Sequence, residues 1–168
     1  MSKTRECGSC NLCCKLPSVP VEPLNKPRDT WCVHCEIGVG CRIYEGRPSA
    51  CEGFRCLWLE AGKLNLLSDD EIPYRTHVVM GLIDNPETYP DSGRHPTLHW
   101  WVEVRYIKQV KRRYRWVIER FLEKSIPVII SYGAKREVYL PDHPAFEEVG
   151  RRMARGEFGT VLETREER

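Results

Sequence analysis

The chemistry this sequence can offer lies in nine cysteines, all placed between Cys7 and Cys56 of a 168-residue chain. Cysteines used as small buried hydrophobes would be scattered along the chain, whereas a metal site needs several thiolates brought together from one or two short segments. The first group is Cys7, Cys10, Cys13 and Cys14, a C-x-x-C-x-x-C-C run with Gly8 and Ser9 between its first pair. Three-residue spacing puts successive sulfurs within reach of one centre, and small intervening residues let main-chain amides approach them. The second group is Cys32-Val33-His34-Cys35, then Cys41, then Cys51 and Cys56. Gly38 and Gly40 loosen the backbone before Cys41, as a tight metal knuckle requires.

Adjacent thiolates such as Cys13 and Cys14 seldom point the same way, so the nine can converge on one centre or on two. Cys7, Cys10, Cys13, Cys41, Cys51 and Cys56 lead the ligand candidates, followed by Cys14, Cys32 and Cys35. Thiolates suit both zinc and iron–sulfur clusters. CVHC resembles a zinc knuckle, and CxxCxxC resembles the opening of a cluster-binding run. A bacterial ferredoxin needs a fourth cysteine followed by proline, but here Leu16 precedes Pro17, which excludes a ferredoxin proper. His34 is expected to line the site without binding, and His77, His95, His99 and His143 to serve the core or the surface.

The run Cys7–Cys14, together with GCRIYEGRPSACEGFRCLWL from Gly40 to Leu59, resembles the YkgJ-type cysteine-cluster family of zinc- or iron-chelating proteins. The family's recurring marks are the CxxCxxCC run, a later cysteine pair, then C-x-I-Y-x-x-R-P-x-x-C and a closing F-x-C. They fall here on Cys7, Cys10, Cys13 and Cys14, on Cys32 and Cys35, on Cys41, Ile43, Tyr44, Arg47, Pro48 and Cys51, and on Phe54 and Cys56. The family is in turn similar to the cysteine-rich part of flagellin lysine N-methylases, for which an iron–sulfur cofactor is the implied occupant. The resemblance implies a [4Fe-4S] cluster here, with zinc the alternative. It does not carry the methylase activity, because this chain shows no Gly-rich nucleotide loop opening a helix after a strand. Tyr44 and Arg47, placed between Cys41 and Cys51, are expected to support the ligands, Arg47 by offsetting thiolate charge and Tyr44 by packing beside the site.

These ligands need a scaffold. Pro17, Pro20, Pro23 and Pro27 forbid a helix between the two cysteine groups and predict an extended strap. LWLEAGKLNLL, from Leu57 to Leu67, predicts a short helix interrupted at Gly62, and Ser68 a second helix start or a turn. Thr76, Val78, Met80 and Leu82 alternate before the turn signal Asp84-Asn85-Pro86. Leu98, Trp100, Val102, Val104 and Tyr106 alternate likewise, predicting an antiparallel strand pair, the second at about 97–106 with one buried face. Ile107, Val110, Tyr114, Val117, Ile118, Phe121 and Leu122 form one stripe of a helix at about 107–124. A hairpin around Gly133 follows, then a short helix at about 144–155 and a frayed tail from Gly156.

The predicted fold is α+β: a cysteine cage, residues 1–60, packed on a small antiparallel sheet covered by one main helix, residues 61–168. Net charge is +2 from 26 basic and 24 acidic residues, which favours neither a nucleic-acid partner nor a membrane surface. The basic run Lys111-Arg112-Arg113-Tyr114-Arg115 reads as a solvated helix face. Trp116 falls on that face with Arg112 and Arg120 one turn away on either side; if exposed, it would be a docking point for a protein partner. MSKTRECGSC has charges and cysteines where a secretory signal needs an apolar run, and no segment approaches the ~20 apolar residues of a membrane span. The expectation is a cytoplasmic metal-binding protein, where a reducing poise keeps thiols free of disulfides. It would hold an iron–sulfur cluster of redox or enzymatic role, or alternatively be a zinc-binding module for protein interaction.

Overall fold

The computed structural model describes residues 5–64, 66–84, 96–156 and 161–162. The cysteine-bearing part is built mostly of turns. It contains a 3-10 turn at Leu12–Cys14, a minimal hairpin of β1 (Cys35–Glu36) and β2 (Gly40–Cys41), a second 3-10 turn at Tyr44–Gly46 and the single-turn helix α1 (Ser49–Glu52). The proline strap between the cysteine groups folds back on itself through a bridge between Val19 and Lys26.

Helix α2 (Leu57–Leu64) starts immediately after Cys56 and continues through Gly62, where an interruption was expected. Ser68 then caps a 3-10 turn, its main-chain N–H donating to Glu71 Oε2 at 2.8 Å. Helix α3 (Pro73–Thr76) takes in Thr76, which alternation had assigned to a strand; it stops at His77, whose φ of +60° turns the chain into β3 (Val78–Asp84). Asn85, Pro86 and His95 lie outside the described residues.

The remaining elements are β4 (Pro96–Val102), α4 (Ile107–Leu122), β5 (Val128–Tyr132), β6 (Lys135–Tyr139), α5 (Glu147–Ala154) and β7 (Val161–Leu162). The sheet is five-stranded, in the order β3-β4-β5-β6-β7. The two hairpins, β3/β4 and β5/β6, are antiparallel as expected; β4 and β5 run parallel, so the sheet as a whole is mixed. That parallel join follows from α4, which carries the chain back across the sheet as a crossover helix. The fold is α+β. The tail beyond Gly156 is described only at β7, which pairs with β6; the rest of the expected fraying falls outside the described residues.

Strand β4 is shorter than the sequence suggested and is buried on both faces rather than one. It ends because Glu103 turns its N–H to the carbonyl of His77, 3.1 Å away, and the chain enters a 3-10 turn at Val104–Tyr106. On one face Leu98, Trp100 and Val102 meet α4, with Trp100 edge-on to Tyr114 at 6.3 Å. On the other face His99 and Trp101 meet the cysteine region, and farther along that face Ile129 and Val138 pack with Val149 and Met153 of α5. Polar alternation along β4 therefore marks two different neighbours, not core and solvent. The largest core cluster joins Leu12, Leu16, Cys56 and Leu57 to the sheet and α4.

Candidate metal centre

The Cys7–Cys14 run is anchored from outside itself. Two residues before Cys7, Arg5 donates to the carbonyls of Trp58 at 2.8 Å and Leu67 at 2.7 Å, pairs with Asp69 and lies over the Trp58 ring. Asn11 is buried and donates to the Glu36 carbonyl at 2.9 Å, and Cys32 donates its N–H to the Cys14 carbonyl at 2.9 Å. These bonds bring the two cysteine segments together. Lys15 pairs with Glu103, which also accepts from His77 Nδ1 at 2.7 Å, tying the cage to the end of β4.

The 3-10 turn decides where the adjacent thiols go. With three residues per turn, neighbours along it are set about 120° apart. Cys13 accordingly faces the sheet: with Cys7, Cys10 and Cys56 it lines a pocket closed by Trp58, Leu59, Pro73 and Val79. Main-chain amides of Leu12 and Tyr74 are turned on the Cys10 sulfur, and those of Trp58 and Leu59 on Cys56. Tyr74 and Trp58 lie in the first turns of α3 and α2, where amides lack helical partners, whereas the Leu59 amide also donates to the Cys56 carbonyl at 3.0 Å.

Cys14 does not line this pocket but adjoins it through Cys13. Its sulfur is hydrogen-bonded to Cys13 and Cys35, and Cys35 in turn feels the charges of Cys14, Cys32 and Cys41. Cys51 completes this second neighbourhood, beside Cys14, Cys32 and Cys41. The β1/β2 hairpin sets Cys35 directly across from Cys41, the geometry in which side chains share a face. Gly38 and Gly40 have φ of +81° and +151°, conformations costly for any other residue.

Burial holds several of the thiols toward the protonated form, with Cys14 the exception. Burial pushes Cys7 up, with Cys10 adding to the effect and Arg47 opposing it. Burial also raises Cys51, Cys56 to about 11 and Cys35 to about 12. Cys14 is lowered to about 6, first by the hydrogen bond from Cys13 and then by that from Cys35 and the charge of Lys26. A metal would reverse the upward shifts by replacing the protons. Among the described residues, no three His, Cys, Asp or Glu side chains converge tightly enough to hold a metal ion.

Tyr44 opens the second 3-10 turn and is exposed, and Arg47 follows that turn. The guanidinium lies 3.9 Å over the Tyr44 ring and acts on both Cys7 and Cys51. Arg47 Nε is buried and has no hydrogen-bond partner among the described residues, a donor left over beside a thiol-rich pocket. Sequence reasoning missed Arg5, Lys15 and Lys26, and no residue-type pattern marked them. Lys26 is only 5% exposed. The other histidines stand outside both thiol groups: His77 pairs with Glu103, His99 with Ser131, and His143 caps a turn through Ala145.

On the far side of the sheet, Trp116 is 40% exposed, with Arg112 and Arg120 also exposed. Of the basic run, Arg113 and Arg115 are exposed and paired with Glu71 and Glu119, whereas Lys111 reaches the buried Glu137 of β6. No helix among the described residues is long and apolar enough to cross a membrane. No family model, curated protein or solved structure matches the chain, so the resemblance to the YkgJ-type family rests on its motif residues alone.

Proposed function

We propose that this is a cytoplasmic iron–sulfur protein of the YkgJ-type cysteine-cluster kind. The observation that supports it most is the pocket in which Cys7, Cys10, Cys13 and Cys56 meet, with amides turned on Cys10 and Cys56. Amide hydrogen bonds to sulfur and a largely apolar wall are the levers by which proteins hold a cluster and set its potential. A [4Fe-4S] cluster bound there would supply one-electron exchange. The protein's own residues would ligate it, shield it with Trp58, Leu59 and Val79, and balance its charge with Arg47, whose buried Nε–H is free to donate to a cluster or thiolate sulfur.

A zinc-binding interaction module is the second reading, favoured by the hairpin that sets Cys35 opposite Cys41. In either case Trp116, exposed between two arginines, is the proposed contact for a protein partner. Purification without oxygen, followed by visible absorption with iron, zinc and acid-labile sulfide analysis, separates the two. Brown protein with iron and sulfide supports the first reading; colourless protein with zinc supports the second and defeats the first.

A further inference from the structure

We infer that the outer face of α4 docks on an acidic protein surface, Trp116 entering an apolar pocket of the partner while Lys108, Arg112 and Arg120 meet carboxylates around it. This deepens the reading of Trp116 as a contact for a protein partner and rests on it.

The first observation is which charges of α4 are already spent. The helix carries six cations. Lys111, Arg113 and Arg115 are engaged by Glu137, Glu71 and Glu119. Lys108, Arg112 and Arg120 have no ion-pair partner among the described residues, and these are the three that share a row with Trp116, at steps of four residues. Residues four apart are neighbours on a helix surface, so the row runs as one ridge. It lies opposite the stripe, including Val110, Val117 and Phe121, that α4 buries on the sheet. The helix kinks at Tyr114, a buried residue, and all four members of the row are exposed on either side of the kink.

The second observation is the indole itself. Trp116 is the one exposed tryptophan of five. Among the described residues its ring stacks on no other ring, and neither neighbouring guanidinium folds over its face. A bare indole flanked by arginines combines the two side chains that most often dominate protein interfaces. The row also faces away from the cysteines: Trp100 meets α4 through Tyr114 on one side of the sheet, and Trp101 meets Phe54 of the cage on the other. A partner docked on the row leaves the cage uncovered.

Charge chooses the occupant. Three unspent cations are complementary to carboxylates. A second copy related by a two-fold axis would set the row against itself, like charge on like. A helix that lies on a membrane turns its broad apolar face to the lipid, and α4 turns that face to the sheet. A nucleic-acid strand calls for a basic track with successive stacking rings, whereas this face has one ring and carries Glu119 and Glu123 among its cations.

The test uses the full-length protein purified without oxygen and compares four probes. They are a helical peptide with glutamates around a leucine and phenylalanine patch, its glutamine counterpart, an oligo(dT) strand and phosphatidylserine vesicles. The acidic peptide should bind, and more weakly as salt is raised. The glutamine peptide, the strand and the vesicles should each bind about tenfold more weakly or worse. Trp116→Ala should cost about tenfold in affinity for the acidic peptide, and Arg112→Glu with Arg120→Glu should abolish binding. The two arginines are exposed, so the charge-reversed protein serves if Trp116→Ala does not fold. Equal binding of the glutamine peptide, still dependent on Trp116, would leave the protein contact standing and overturn its acidic character. Tighter binding of the strand or the vesicles would overturn both. Binding of no probe, or binding that survives the charge reversals, overturns the inference, as does a dimer in sedimentation that the reversals dissolve. Iron, zinc and sulfide content, measured on the same samples, decides the metal reading whichever way the probes fall.

Discussion

Phe54 stands edge-on to Trp101, their ring centroids 5.7 Å apart at 77°, directly over the bare backbone of Gly81. A Cβ on Gly81 would come within 2.8 Å of the Phe54 ring. Phe54 closes the cysteine motif two residues before Cys56, and Gly81 lies on β3, so this contact seats the cage on the sheet. Gly81→Ala should destabilise the protein by about 1–3 kcal/mol, the usual cost of overpacking. In a Phe54→Ala background the same change should be neutral or mildly stabilising, because strand glycine is itself unfavourable. Urea unfolding of the four-member mutant cycle measures the coupling; additive effects would show that Phe54 is not what excludes a side chain there.

Removing Arg47 should cost charge balance rather than fold. The guanidinium acts on Cys7 and Cys51 while resting on Tyr44. A nearby cation stabilises the reduced, more negative state of a cluster, so Arg47→Ala should lower the midpoint potential. The effect should be on the order of 1 kcal/mol for charges several ångströms apart in a partly wet setting. Arg47→Lys should recover part of it. A redox titration checks this, and an unchanged potential with unchanged metal content would reduce Arg47 to a packing residue.

How much of this could be read from the residues depends on what each residue answers to. The buried stripe of α4, Val110, Tyr114, Val117, Ile118, Phe121 and Leu122, was legible because one sheet face imposes one helical period. The two-sided burial of β4 was not, since His99 and Thr97 are polar yet buried. The roles of Arg5 and Lys26 were hidden for a simpler reason: most of their partners are main-chain carbonyls, which any sequence supplies. Which thiols neighbour Cys14 was hidden as well, because they depend on a 3-10 turn that no periodicity announces.

Metal removal should unfold the cage and spare the sheet. Between Cys7 and Cys56 the regular structure amounts to short turns and a two-residue-strand hairpin, and the buried hydrophobic anchors near the run are Leu12 and Leu16. Binding free energy of the metal is then folding free energy for this region. Anaerobic chelation followed by hydrogen exchange should show lost amide protection from Cys7 to Cys56, with β4 and β5 remaining protected. Unchanged protection in the metal-free protein would mean that the turns and the Phe54 contact suffice.

The last prediction concerns acid. His99 is buried against Trp101, their ring centroids 4.1 Å apart, with Nε2 2.8 Å from Ser131 Oγ. Its Nδ1 is buried without a hydrogen-bond partner among the described residues. Burial first, then the charges of Arg136 and Arg28, lowers its pKa from 6.5 to about 3. Between these values the unfolded chain takes up a proton that the folded chain refuses, so stability rises with pH through the window. The contribution is complete above about pH 6.5, where both states are neutral, and is lost as pH falls toward 3. The slope is about 1.4 kcal/mol per pH unit across most of that range. Arg28 also donates to the Gly133 carbonyl and so fastens the proline strap to the β5–β6 turn; a proton on His99 would repel it. Urea unfolding of the protein purified without oxygen, at pH 7 and pH 5, should therefore show a larger acid loss for the natural chain than for His99→Gln, whose neutral amide cannot titrate. Equal losses would mean that His99 is protonated in the folded state, against the burial and the two arginines that surround it.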